Sequence, residues 1–125
     1  MKRIKRLIYR IFDRYLRKKA IKNHRKMWRW LAEHPDKGKN DYLMIHDPKA
    51  DLRNDCYLCE YAKNKSIPYE IITSTYCGHC PLDWNGKSCN ANYSLYEDWA
   101  LSRYVPEERL KLAKLIAELP ERKDR

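Results

Sequence analysis

Residues 3–33 read RIKRLIYRIFDRYLRKKAIKNHRKMWRWLAE, and this stretch decides the fold class. Ile4, Leu7, Ile8, Ile11, Phe12 and Tyr15 recur at i, i+3, i+4 spacing, which lays one apolar stripe along a helix over residues 3–17. Lys5, Arg6, Arg10, Arg14 and Arg17 occupy the rest of the circumference. The stripe loses register after Leu16, because Ile21 falls off it. A second helical segment runs over residues 21–33 with Met27, Trp28 and Leu31 as its apolar side, so the region is one bent helix or two. Trp28 and Leu31 share a face and read as core. Trp30 reads as a surface residue, as do His24 and His34. Pro35, Asp36 and Gly38 end the region.

Further along, residues 36–55 read as a loop with a short apolar run, Tyr42 to Ile45. Tyr57 to Lys63 can form a helical turn. Tyr69 to Thr75 holds a β-branched run and is the one strand candidate. Ser94 is a good N-cap with Glu97 at the capping-box position. Pro106, Glu107 and Glu108 open a final helix with proline and acids in the favoured first turn, and Pro120 closes it. The expected architecture is mainly α: a small zinc-stabilised domain, a basic amphipathic N-terminal helix and little β. Residues 1–26 form a basic arm and residues 27–125 a mostly helical domain around the metal.

Charge supports that division. The chain of 125 residues carries a net charge of +10. Residues 1–30 hold 13 Lys and Arg against a single acid, Asp13, whereas residues 31–125 hold 14 against 16 acids. A basic block confined to one end points to a polyanion. No apolar stretch approaches the roughly 20 residues of a membrane span, and cations interrupt the N-terminus too often for a secretory signal. The expected location is the cytoplasm of a host cell. Only 3 glycines are present, which disfavours a glycine-rich phosphate loop.

The five cysteines form a pattern. Cys56-x-x-Cys59 and Cys77-x-x-Cys80 stand seventeen residues apart, inside the spacing of paired zinc knuckles. Each two-residue gap lets the chain turn both sulfurs toward one point, and four thiolates close a tetrahedral, structural site. An odd cysteine count argues against a disulfide framework. Cys89 is the alternative to Cys77 as fourth ligand, or else a small buried apolar residue. His79, inside the second pair, points away from the metal.

Trp28-x-Trp30-Leu31, Cys56-Tyr57-Leu58-Cys59-Glu60-Tyr61-Ala62, Cys77-Gly78-His79-Cys80-Pro81-Leu82-Asp83-Trp84, Cys89 and Tyr96-x-x-Trp99 together resemble a group of small bacteriophage-encoded Cys-rich proteins. The resemblance spans residues 28 to about 119. It implies a phage origin and a cysteine-ligated metal, with no activity attached.

The basic segment admits three readings. Lys2, Arg3, Lys5, Arg6, Arg10, Arg14, Arg17, Lys18, Lys22, Arg25, Lys26 and Arg29, with Trp30 stacking on bases, suit sequence-independent contact with nucleic acid. The same helix suits an anionic membrane surface. Alternatively its stripe packs on the domain or on a second copy. A different class of function has the body, with Trp84, Tyr96 and Trp99 as contact surface, bind and modulate a host or phage protein. No small-molecule substrate is expected. Catalysis is not expected either: a nuclease could recruit His46-Asp47 and Asn90 or Asn92, but no strand–strand–helix pattern places them, and four thiolates leave the metal no open position.

Overall fold

The computed structural model describes residues 2–50, 56–66, 80–84 and 94–122. The strand expected over Tyr69 to Thr75 lies outside them, as do Cys77, His79, Cys89, Asn90 and Asn92. Five helices follow in order: α1 (Lys2–Glu33), α2 (Lys39–His46), α3 (Tyr57–Ser66), α4 (Leu95–Leu101) and α5 (Pro106–Ala117). The protein is mainly helical, with no sheet among the described residues.

α1 is one continuous helix of 32 residues, about 48 Å long at 1.5 Å per residue. No glycine or proline interrupts it. The register change read at Ile21 does not break the helix; it moves the apolar side to another face. Ala20, Ile21, Met27, Trp28, Leu31 and Ala32 are buried together with His24, and α5, α3 and α2 pack along α1. Within the expected arm of residues 1–26, Ala20, Ile21 and His24 already belong to the core.

Trp28 joins α1 to α4, its ring meeting that of Trp99 edge-on at 4.7 Å and that of Tyr96 at 6.1 Å. Trp84 and Trp99 are buried and cannot form the contact surface expected of them; half-buried Tyr96 carries Lys39 Nζ over its ring at 4.4 Å. The Arg109 guanidinium lies over Trp99 at 4.1 Å. Ser94 caps α4 as expected, its Oγ accepting from the Glu97 N–H at 3.1 Å.

Polar side chains of α1 secure the end of α5. His24 Nε2 donates to the Ile116 carbonyl at 3.1 Å, and Arg25 Nη2 to the Leu119 carbonyl at 3.1 Å. Arg17 Nη2 donates to the carbonyls of Arg122 at 2.8 Å and Pro81 at 3.3 Å, while its Nη1 pairs with Glu121. His24 thus serves a carbonyl in the last turn of α5, where a helix leaves acceptors without intrahelical partners, and the two arginines hold the tail that follows it. An isolated antiparallel bridge, Leu82 to Glu121, ties residues 80–84 to the same tail.

Residues 39–46, read as loop, are helical instead. The Asp41 carboxylate accepts from the Gly38 N–H at 2.8 Å and organises the first turn. Trp30 stacks on His34 at 4.2 Å and meets Tyr42 edge-on at 5.5 Å, and Tyr42 stacks on His46 at 4.8 Å. This aromatic seam stabilises a helix too short to stand alone.

Candidate functional site

Among the described residues, the apolar stripe of the first half of α1 stays largely open to solvent. Ile4, Leu7, Ile8, Ile11, Phe12 and Tyr15 are each 57–61% exposed. At about 100° per residue, the mean direction of this stripe lies roughly 160° around the helix from the buried set Ala20 to Ala32. The stripe therefore points away from the core side of α1, with Phe12 at its edge bordering α3.

Cations frame it. Arg3, Lys5, Arg6, Arg10 and Arg14 are all exposed around the same turns. Past Tyr15 the outward face changes from apolar to cationic, with Lys18, Lys22, Lys26 and Arg29 all exposed along it. The single acid, Asp13, sits on the inner side and accepts from the Tyr61 hydroxyl at 2.7 Å. That contact raises the Tyr61 phenol well above its ordinary pKa, burial being the larger cause.

Of the residues expected to contact a polyanion, three are already engaged. Arg17 and Arg25 are half-buried and hold the C-terminal tail. Trp30 is half-buried in the aromatic seam rather than displayed. The described side chains of the remaining set, Arg3, Lys5, Arg6, Arg10, Arg14, Lys18, Lys22, Lys26 and Arg29, are exposed. Lys19 also belongs to the exposed surface and was missed, as was Tyr9 at 72% exposure. Lys19 falls within the angular range of the stripe, so a helical wheel of residues 3–20 could have found it; Tyr9 lies well off the stripe.

The histidines read as surface residues differ. His34 is half-buried under Trp30. His24 is 1% exposed, and burial pushes its pKa down to about 4, against the partly offsetting bond to Ile116. Its ring lies near those of Trp28 and Trp84.

Cys56 immediately precedes α3 and Cys59 lies in its first turn. The Cys59 N–H donates to Cys56 Sγ at 3.4 Å. The Cys59 thiol hydrogen bond lowers the Cys56 pKa to about 7, more than offsetting burial. Cys80 opens the segment that bridges to Glu121. Among the described residues no three His, Cys, Asp or Glu side chains converge on one point that could hold a metal. His46 stacks on Tyr42, and Asp47 accepts from the Tyr57 hydroxyl at 2.8 Å.

No family model, curated protein or solved structure matches the chain.

Proposed function

We propose that this is a non-enzymatic peripheral protein that docks on an anionic membrane surface through α1. The observation that carries this reading is the outward stripe, six large apolar side chains more than half exposed and turned away from the core side of α1. Laid in the plane of a bilayer interface, such a helix buries its stripe at the acyl boundary and keeps its cations at headgroup level. Each Lys or Arg near an anionic leaflet contributes on the order of 1 kcal/mol. The cationic row after Tyr15 would extend the same footprint along the surface. Among the described residues no helix is long and apolar enough to cross a membrane, so the attachment is peripheral. The cytoplasmic face, where anionic lipids and reduced thiols coexist, suits it.

Two alternatives for the stripe fit less well. A second copy would align strongly cationic helices, and the stripe covers about two heptads, short of the three or four that specify a coiled coil. Nucleic acid would account for the cations and leave the stripe in water. The row Lys18, Lys22, Lys26 and Arg29, all on one exposed face, favours nucleic acid as the second reading.

A zinc ion stabilises the body in this reading, held by Cys56, Cys59, Cys80 and either Cys77 or Cys89. The paired spacing supports it, as does the N–H of Cys59 directed at Cys56 Sγ. Phage origin rests on the resemblance alone.

Vesicle flotation tests the docking claim. The protein should float with phosphatidylglycerol-containing vesicles and stay behind with phosphatidylcholine alone. Binding to single- or double-stranded nucleic acid at low salt, without flotation, would instead support the second reading.

A further inference from the structure

Between α1 and α3 lies a groove of about 390 Å³, within the roughly 300–1,000 Å³ range of small-molecule sites. Phe12, Leu16 and Ala20 line it from α1, and Tyr57 and Tyr61 from α3. Both tyrosine hydroxyls are turned to carboxylates, Tyr57 to Asp47 at 2.8 Å and Tyr61 to Asp13 at 2.7 Å. The tyrosines therefore offer ring surface more than polar tips. Asp13 is also a lining residue, but its carboxylate accepts from Tyr61. Lys19, exposed, is the cation among the described lining residues.

Phe12 belongs to both the groove and the outward stripe. An aliphatic chain at the stripe can thus pass into the groove over a continuous apolar surface. An apolar trough with a cation beside it matches a molecule with a hydrocarbon chain and an acidic head.

We propose that this groove takes one acyl chain of an anionic lipid, with the Lys19 ammonium against its acidic headgroup. The proposal rests on α1 docking at a lipid surface. It makes that docking selective: the surface supplies the chain, and the groove retains it.

Displacement of the fluorescent fatty acid cis-parinarate from the full chain, below micelle-forming concentrations, tests this. Dodecanoate should displace the probe saturably at one site, and dodecanol should do so about fivefold less well, as expected for one partly exposed charge contact. Lys19→Glu should abolish the preference for dodecanoate while leaving dodecanol affinity unchanged. Ala20→Phe, which fills the groove, should eliminate displacement with helical circular dichroism retained. If that variant fails to fold, Leu16→Asn decides, with an expected loss of about tenfold from one polar group placed in an apolar lining. Absence of saturable dodecanoate binding, native affinity in Leu16→Asn, or an unchanged preference in Lys19→Glu overturns the proposal. Flotation of the same preparations separates the two claims. Intact flotation without chain binding rejects the groove alone, whereas loss of both rejects surface docking as well.

Discussion

At position 24 a histidine surrounded in sequence by cations is 1% exposed and donates to the Ile116 carbonyl. A carbonyl only accepts, so Nε2 carries a proton, and burial keeps the ring neutral near pH 7. Its folded pKa of about 4 lies below the ordinary value of 6.5. The unfolded chain therefore binds a proton first as pH falls. Stability is full above about 6.5, declines as pH drops below it, and stops declining through this group once pH passes about 4. The loss amounts to at most about 3 kcal/mol at 1.36 kcal/mol per unit. Urea unfolding between pH 4 and 7 should show this decline in the native protein and a flatter profile in His24→Gln, which keeps a donor without titrating. Equal profiles would exclude His24 as the source. The sequence hid this residue because a lone histidine beside Arg25 and Lys26 carries no burial signal of its own. Its place four residues before Trp28 on the core face was the clue. Arg17 and Arg25 were hidden for the same reason: a guanidinium that holds the carbonyls of a distant tail looks, in sequence, like any surface cation.

Among the elements, α1 carries two apolar faces in succession. Its helical character was legible from spacing, and so were the capping at Ser94 and the proline-led start of α5. Its continuity was not, because an apolar pattern that rotates to another face imitates a break. α2 was missed because its apolar residues, Tyr42 to Ile45, run consecutively without helical spacing and follow a glycine. Contacts with Trp30 that no local pattern encodes help hold it. The two halves of α1 predict opposite responses. Leu7→Glu combined with Ile11→Glu should change unfolding free energy by less than about 0.5 kcal/mol, as exposed positions do, and should abolish flotation. Leu31→Ala, at 1% exposure, should cost about 2–5 kcal/mol in urea unfolding. A double variant as destabilised as Leu31→Ala would mean that the stripe packs on the body after all.

Taken as a whole, the molecule joins a strongly cationic first segment, residues 1–30, to a remainder of near-neutral charge. The body's core is aromatic and modest in size, so a bound metal would contribute appreciably to its stability. Elemental analysis should find one zinc per chain, and chelation should lower the thermal midpoint; Cys59→Ser should reproduce that fall. Absence of stoichiometric metal would remove zinc from the account and leave the helical fold as described. Membrane docking requires the first half of α1 to face the acyl region when the protein is bound. Ile11→Trp places a reporter in the middle of the stripe, and vesicles with brominated acyl chains quench indoles that reach the acyl region. Blue-shifted, strongly quenched added emission is expected on anionic vesicles. Emission that stays water-like and unquenched while the protein is bound would contradict docking through the stripe.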